Sequence, residues 1–342
     1  MNTELIEIYS AADTDGIKRV AEIINDGGIV AIPTETVYGL AANALDAKAV
    51  EKIFIAKGRP QDNPLIVHIS SESMLTPLVK NVPKTAYDLS CKYWPGPLTM
   101  VLERTDKIPS AVSAGLTTVA VRMPKNEVAL EIIKASGVPI AAPSANLSGK
   151  PSPTTSEHCI NDLMGKVDAI VVSHPSKVGL ESTVISLVGE VPHLLRPGAV
   201  TLEQLRQVLG EVTVDKAVVA EPEANKPVAS PGMKYKHYSP TAKVIIIEGT
   251  REEYIKYVNS KLEDGVFALC LKEEIPHLKV PYICYGSEKD DLSKAAGLFS
   301  ALRELDEKGA YKAYVRLTEK SGVGLAVFNR LIRAAAFRIE KI

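Results

Sequence analysis

Several features that define common protein classes are missing from this chain of 342 residues. No uninterrupted apolar run approaches the roughly 20 residues that a membrane-spanning helix needs, and the N-terminal residues lack the pattern of a secretory signal peptide. No Cys-x-x-Cys pair occurs, which argues against a zinc site or a disulfide framework. We therefore expect a cytoplasmic protein whose cysteines are small, buried side chains. They are Cys91, Cys159, Cys270 and Cys284.

An excess of charge of one sign is also missing. Lysine and arginine total 40, aspartate and glutamate total 41, and the formal net charge is −1. Such a chain has no bulk attraction to nucleic acid or to an anionic membrane, so any basic site must be a local concentration of cations. Apolar residues make up 46% of the chain, enough for a sizeable core, and the length predicts two domains.

Standard nucleotide and hydrolase motifs are absent. The pair Gly149-Lys150 has neither the upstream glycine nor the following Ser or Thr of a Walker A loop. The stretch 321–324 lacks the third glycine of a dinucleotide fingerprint and precedes a predicted helix. No HExxH, GxSxG or kinase signature appears. If the chain binds a nucleotide, it uses another arrangement.

Short apolar runs alternate with amphipathic segments over the first 210 residues, which predicts a mixed α/β domain. The stretch 98–122 also favours some antiparallel pairing. Predicted strands are 29–32, 65–69, 98–102, 119–122, 140–142, 169–172 and 184–187. Predicted helices are 16–25, 47–56, 84–93, 128–136, 155–164 and 202–209. Asp46 and Thr201 stand at predicted N-caps, and Gly137, Gly165 and Gly210 at predicted helix ends.

A change of composition separates this domain from a second one. Four prolines fall within 222–240, and the run 230–239 combines two tyrosines, a histidine and two lysines, which is more than a passive linker needs. Strands predicted at 244–247, 266–271, 282–285 and 313–317 then alternate with helices at 252–262, 292–307 and 325–339. We predict a catalytic domain at 1–212, a linker or lid at 213–241, and a doubly wound α/β domain at 242–342.

The run Pro-Thr-Glu-Thr-Val-Tyr-Gly-Leu at 33–40 follows the predicted strand 29–32 and concentrates hydroxyls and one carboxylate. Open α/β sheets place ligands at such strand ends. The same residues also suit a plain loop whose threonines cap the next helix. Taken alone, this stretch favours neither interpretation.

Cations and hydroxyls recur at other strand and helix ends. Lys57 and Arg59 flank a glycine and suit a phosphate, although cations at a helix C-terminus are also favourable for the dipole. The run 141–154 holds several hydroxyls, an asparagine and three prolines after a strand, and Thr154 alone would fit a helix cap. Arg122 stands inside an apolar strand and therefore needs a carboxylate partner, from the protein or from a ligand. His68 suits an ordinary core histidine, and no metal-ligand spacing surrounds it.

Together these clusters resemble the YrdC-like family, in order, over about residues 10–210. The linker and second domain resemble the long, two-domain form of that family. The matching stretches are 33–40, 57–60, 63–65, 94–99, 121–124, 142–146, 181–183, 196–198 and 230–240. The resemblance implies a twisted mixed sheet around a concave site, joined to a smaller Rossmann-like domain.

The resemblance also implies a reaction. Members of the family act as nucleotidyltransferases that condense L-threonine, bicarbonate and Mg-ATP into threonylcarbamoyl-adenylate and pyrophosphate. A transferase complex then passes the group to tRNA, and we also consider a weak contact of this chain with RNA. By resemblance, threonine is surrounded by Thr36, His68, Arg122, Ala142 and Ser182. The nucleotide side holds Lys57, Arg59, Asn63, Thr118, Ser144, Asn146, Ser152 and Arg196, of which Lys57, Arg59, Ser144 and Asn146 form the family's catalytic motifs.

We expect the linker to fold over the pocket and exclude water, with His237 and Tyr238 as contacts to the nucleotide. The alternatives are an O-carbamoyltransferase of hydrogenase maturation, which the absence of Cys-x-x-Cys pairs disfavours, and a non-catalytic RNA-binding factor, which the net charge disfavours.

Overall fold

The computed structural model describes residues 2–218, 220, 238–317 and 319–342, and these form two compact units. The first contains residues 2–148, 153–177 and the described residues from Glu181 to Ala220. The second contains Gly149–Ser152, Val178–Leu180 and the described residues from Tyr238 onward. The linker residues 221–237, which include His237 and most of the predicted lid, lie outside the described part of the chain.

The first unit is built around one large sheet. Its strands are β1 (Glu4–Glu7), β2 (Val30–Ile32), β3 (Gly39–Asn43), β4 (Ile66–His68), β5 (Leu98–Glu103), β6 (Thr118–Arg122), β7 (Ile140–Ala141), β8 (Ala169–Val172), β9 (Thr183–Ser186), β10 (His193–Arg196) and β11 (Thr213–Val214). Its helices are α1 (Thr14–Asn25), α2 (Ala47–Lys57), α3 (Lys84–Tyr93), α4 (Ser110–Ser113), α5 (Glu127–Ser136), α6 (Ser156–Leu163) and α7 (Leu202–Leu209).

The strand order is β1-β8-β2-β3-β7-β4-β6-β5-β9-β10-β11. Both parallel and antiparallel neighbours occur along it, so the predicted mixed α/β class is confirmed. The antiparallel pairing predicted within 98–122 is that of β5 with β6.

The two faces of this sheet are covered differently. One face carries the larger apolar core, to which α2, α3, α6 and α7 contribute Phe54, Leu89, Leu163 and Leu205. On the other face, α1 and α5 pack over the β1-to-β7 half. The remaining half, from β4 to β10, bears a small apolar cluster of its own. This second half of the face is where the polar residues of the site project.

Local signals explain most helix boundaries. The side chains of Asp46 and Thr201 cap α2 and α7, as predicted, and Thr201 forms a capping box. Gly137 ends α5 in the left-handed conformation. The prediction was one residue early at α6, where Thr155 rather than Thr154 is the N-cap.

Several elements of the first unit were not predicted. These are β1, α4, β10, β11 and, most importantly, β3, which directly follows the loop at 33–38. The threonines of that loop therefore do not cap a helix. The sequence of β3 has few β-branched residues, and its pairing depends on close approach. A Cβ on Gly39 would lie 3.2 Å from the Cβ of Ala142 on the neighbouring segment.

The second unit has a smaller sheet in the order β14-β13-β15-β12-β16, and all its pairs are parallel. The Rossmann-like prediction is confirmed. Its strands are β12 (Lys243–Glu248), β13 (Val266–Leu271), β14 (Tyr282–Gly286), β15 (Lys312–Arg316) and β16 (Ile339–Lys341), and its helices are α8 (Arg251–Asn259), α9 (Asp291–Glu307) and α10 (Gly324–Ala334).

Two helices of this unit end earlier than predicted, and α8 stops at Asn259 rather than at residue 262. The range 325–339 was expected to be helical, but α10 stops at Ala334 because Ala336 and Phe337 adopt positive φ angles of 48° and 59°. The chain then turns into β16, which pairs with β12.

None of the four cysteines forms a disulfide, but the expectation that all are buried was wrong, because Cys91 and Cys284 are exposed. None of the described helices has the length and apolar content that crossing a membrane requires.

Candidate active site

Strand register places several predicted site residues on one face of the large sheet. His68 on β4 is the register partner of Arg122 on β6, and Thr99 on β5 is the partner of Val184 on β9. Arg196 on β10 is also opposite Val184. Because side chains alternate between faces, these polar groups share the face that carries the small apolar cluster. That cluster consists of Ile66, Val101, Ala120, Val184 and Leu195.

The loop between β2 and β3 is rigid and buried. The Thr34 hydroxyl donates to the carbonyl of Val37 at 2.6 Å and lies 2.9 Å from the Thr36 hydroxyl. The Ser176 hydroxyl donates to the Thr34 carbonyl at 2.9 Å. Glu35 and Thr36 are 8% and 1% exposed. The loop therefore presents its side chains to the site from a fixed backbone.

Arg122 connects this loop to the sheet. Its Nε donates to the Gly96 carbonyl at 3.1 Å, and its Nη1 donates to the Thr36 hydroxyl at 2.8 Å. Its Nη2 lies 2.6 Å from Oε1 of Glu35, and the side chains of both residues are less than a tenth exposed. The carboxylate partner that the sequence required for Arg122 is thus Glu35, a residue to which the sequence analysis gave no role.

Three buried groups in this region keep hydrogen-bonding capacity. Among the described residues, no hydrogen-bond partner meets either carboxylate oxygen of Glu35, Nη2 of Arg122 or Nδ1 of His68. The short contact between Glu35 and Arg122 is therefore an ion pair without an in-line hydrogen bond. Buried polar groups are nearly always hydrogen-bonded, to protein, water or ligand. The cluster has the properties of a binding site.

His68 is neutral in this environment. Burial, and then the positive charge of Arg122, lower its pKa from 6.5 to about 3. A neutral imidazole offers one donor and one acceptor. It therefore suits a hydroxyl better than it suits an anion.

Lys57 at the end of α2 fixes the loop that follows β7. Its ammonium donates to the carbonyls of Ser144 and Asn146 at 2.6 and 2.5 Å. The Ser144 hydroxyl in turn donates to Oδ1 of Asn146 at 2.6 Å. Gly39 forms a bridge with Ser144, so this loop lies beside the start of β3. The three residues form one hydrogen-bonded unit in which Lys57 positions the other two.

The turn after α2 brings Arg59 and Asn63 together. Gly58 ends the helix at φ 60°, a left-handed conformation that favours glycine. The Arg59 guanidinium donates to the carbonyl of Asn63 at 3.4 Å. Asn63 is fully buried, and neither polar atom of its side chain has a hydrogen-bond partner among the described residues. An amide left in this state is suited to a polar ligand.

A second hydroxyl and arginine cluster lies at β9 and β10. Arg196, which is 5% exposed, donates from Nε to the Ser182 carbonyl at 3.0 Å and from Nη2 to its hydroxyl at 3.2 Å. The Thr99 hydroxyl lies 2.7 Å from that of Ser182. Thr99 was also missed by the sequence analysis. Thr99 could have been found from the alternation of side chains along β5, because that alternation places it on the same face of the sheet as Arg122.

The remaining predicted residues are more dispersed. Thr118 lies at the start of β6, at the opposite end of the strand from Arg122. Ala142 is buried, and its N–H donates to the Ile66 carbonyl at 3.0 Å. Ser152 and Tyr238 belong to the second unit, where both are buried. No group of three or more potential metal ligands occurs among the described residues.

Comparison with known proteins identifies the family of the chain. A family model described as telomere recombination, covering Sua5, YciO and YrdC proteins, matches residues 22–198. A model of the threonylcarbamoyl-AMP synthase C-terminal domain matches residues 200–336. A threonylcarbamoyl-AMP synthase of Pyrococcus abyssi is 44% identical, over 99% of this chain and 100% of its own length. This chain belongs to the threonylcarbamoyl-AMP synthase family.

Other relatives agree. A threonylcarbamoyl-AMP synthase of Bacillus subtilis is 45% identical over 94% of both chains. Among solved structures, P. abyssi Sua5 complexed with L-threonine is 41% identical, covers 99% of this chain and 100% of its own, and has a TM-score of 0.92. The threonylcarbamoyl-AMP synthase family therefore accounts for both units of the chain.

Proposed function

We propose that this chain condenses L-threonine, bicarbonate and ATP into L-threonylcarbamoyl-adenylate and releases pyrophosphate. The product serves the threonylcarbamoyladenosine modification of tRNA beside the anticodon. The observation that carries this proposal is the buried Arg122, held by Thr36 and Gly96 with donor capacity left at Nη2. The P. abyssi relative that was solved with L-threonine supports it.

Threonine binds at the end of β6. Its carboxylate is taken by Arg122, because a guanidinium offers paired donors to a carboxylate. Its hydroxyl is placed against neutral His68 and the Thr36 hydroxyl. Ser182 and the backbone of Ala142 complete this side of the pocket, as the family resemblance implies.

ATP binds beside the turn after α2 and the loop that Lys57 holds. Arg59 and Arg196 supply positive charge to the phosphates, and Asn63 supplies an amide with free donors and acceptors. Ser144 and Asn146 are positioned by Lys57. Thr118 and Ser152 also belong to the nucleotide side. Mg²⁺ enters on the phosphates of ATP, since this cation is commonly held by substrate phosphates and few protein ligands.

The reaction depends on how the substrates are positioned, and no side chain has to act as a nucleophile. The neutral threonine amine attacks CO₂ with release of a proton, or bicarbonate with release of water, to give an N-carboxylate. That carboxylate attacks the α-phosphate of ATP and expels pyrophosphate with its metal. The arginines of the site stabilise the negative charge that develops on the phosphate in the transition state. Binding both substrates in fixed positions removes the entropy cost of bringing them together.

The partners follow from this reaction. A tRNA threonylcarbamoyl-transferase complex receives the adenylate in the cytoplasm, and a weak contact of this chain with RNA accompanies the transfer. In this function the linker covers the pocket, and His237 and Tyr238 contact the nucleotide. His237 lies outside the described residues, and Tyr238 is buried in the second unit.

The test is pyrophosphate release by the purified chain with Mg-ATP, bicarbonate and L-threonine. Release that depends on both threonine and bicarbonate is the expected result. Parallel reactions omit one substrate each or replace threonine by glycine. Release without threonine would contradict the proposal, and no release from folded protein would contradict it and favour a non-catalytic RNA-binding protein.

A further inference from the structure

Glu35 keeps acceptor capacity that its ion pair does not use. A carboxylate has two oxygens and about four lone-pair sites. One oxygen contacts Nη2 of Arg122 at 2.6 Å, without an in-line hydrogen bond, and Oε2 has no partner among the described residues. Carboxylates frequently engage a guanidinium fork with two parallel hydrogen bonds, and Glu35 does not. Its free oxygen instead remains available to a donor.

Arg122 is the complementary group. A guanidinium only donates, and its Nη2 is among the buried atoms without an in-line partner in the described residues. Glu35 and Arg122 thus form an adjacent anion and cation with a combined charge of zero. A ligand that satisfies both carries an acceptor for Arg122 and a donor for Glu35, close together, and both contacts are strongest when the acceptor is an anion and the donor a cation. The carboxylate and ammonium of an α-amino acid have this arrangement.

We infer that Glu35 binds the α-ammonium group of the substrate and makes the site selective for α-amino acids over the corresponding hydroxy acids. The inference rests on the proposed function, which supplies threonine as the amino acid. A hydroxy acid would offer Glu35 one neutral O–H donor in place of a charged ammonium with three donors, and the loss of the charge-assisted hydrogen bond weakens its binding. By holding the nitrogen, Glu35 also places the atom that becomes carboxylated once the ammonium has lost a proton. Glu35 is then a specificity-determining contact for the amine.

The experiment compares two ligands in two proteins by calorimetry, without ATP or bicarbonate. L-Threonine is compared with 2,3-dihydroxybutanoate, which has a hydroxyl in place of the ammonium. The wild-type chain should prefer threonine by about tenfold or more, the effect of one charge-assisted hydrogen bond. In Glu35→Gln the affinity for threonine should fall about tenfold or more. The affinity for dihydroxybutanoate should stay within about twofold or rise, because the repelling charge is gone.

A structural role for Glu35 predicts a different pattern. If Glu35 only supports Arg122, both ligands should weaken by the same factor, and this result would overturn the inference. Unchanged affinity for both ligands would also overturn it. Glu35→Asp retains the charge and should retain the preference for threonine. Glu131→Gln, at a partly exposed carboxylate of α5, makes the same substitution away from the site and should change neither affinity.

Should Glu35→Gln not fold, the wild-type chain and Glu35→Asp decide, since equal affinity of the wild type for the two ligands contradicts the inference. Threonine-dependent pyrophosphate release by the wild type tests the proposed function separately. If that release occurs while Glu35→Gln keeps the full preference for threonine, only the assignment of Glu35 is wrong.

Discussion

The two units both place arginines and glutamates at the ends of buried strands, but the second unit pairs these charges with one another. Arg316, at the end of β15, donates to Oε1 of Glu274 and to Oε1 of Glu288, each at 2.6 Å. The other oxygen of Glu274 accepts the Leu271 N–H at 2.8 Å. Arg251 also forms an ion pair with Glu288. The carboxylates of this edge are used within the unit, although Nε of Arg251 has no hydrogen-bond partner among the described residues.

The first unit leaves similar charges incompletely bonded. Arg122 and Glu35 are adjacent, yet hydrogen-bonding capacity remains on both, and the same holds for His68 and Asn63. The number of charges at a strand end is thus a poor indicator of a binding site. Capacity that the described protein groups leave unused is the better indicator, because burial without a partner is costly.

The largest expected effects follow from removing the arginine of the ion pair in each unit, Arg122–Glu35 and Arg316–Glu274. Arg122→Met and Arg316→Met each leave a buried glutamate without its counter-ion, so each should cost about 3–5 kcal/mol in the free energy of unfolding. Only Arg122→Met should also abolish threonine binding. Urea unfolding followed by circular dichroism, and calorimetry on the folded variants, measure the two effects.

Double variants provide the control. Arg316→Met combined with Glu274→Gln should recover much of the lost stability, because the uncompensated charge is removed. Arg122→Met combined with Glu35→Gln should recover stability without recovering threonine binding. If Arg316→Met, while folded, weakens threonine binding more than about twofold, the contrast between the units is wrong.

The next effect concerns Lys57. Lys57→Met keeps the aliphatic stem but removes the ammonium that bonds the carbonyls of Ser144 and Asn146. We expect a loss of about 2–3 kcal/mol in stability and a raised KM for ATP, with threonine affinity in the absence of ATP little changed. Unfolding can be followed by the fluorescence of Trp94, the single tryptophan, which belongs to the first unit.

Lys52→Met is the matched control on the same helix. Lys52 is exposed and donates to the carbonyl of Gly27. Its loss should change stability by less than about 0.5 kcal/mol and leave KM for ATP as it is. Equal effects of the two substitutions would show that Lys57 does not position the loop of Ser144 and Asn146 for ATP.

The smallest effect is a pH dependence. The pKa of His68 is lowered to about 3 in the folded chain, first by burial and then by Arg122. Between pH 6.5 and 3 the unfolded chain therefore binds a proton at His68 that the folded chain does not, so stability falls as the pH falls. At pH 5 the loss amounts to about 2 kcal/mol relative to neutral pH.

His68→Gln should remove this contribution. Unfolding monitored by Trp94 at pH 7 and pH 5 should show that the variant loses about 2 kcal/mol less stability than the wild type. Parallel losses in the two proteins would mean that His68 is not held neutral by its surroundings.

The longer helices of the first unit and the strands β12 to β15 of the second followed from sequence because their signals are local. Apolar periodicity, the caps Asp46 and Thr201 and the glycine at 137 act within a few residues. The strand β3 was missed because its pairing depends on β2 and β7, and on the close approach of Gly39 to Ala142. Strand pairing between distant segments leaves little trace in one strand's own sequence.

The candidate site divides in the same way. The sequence by itself determined the kinds of groups present, their positions at strand ends, and the need of Arg122 for a carboxylate. Only the tertiary structure identified that carboxylate as Glu35, turned Lys57 towards the loop carbonyls, and left Asn63 and His68 with free hydrogen-bonding atoms. The physical reason is that burial and hydrogen bonding depend on every segment packed around a group, and those segments come from separate parts of the chain.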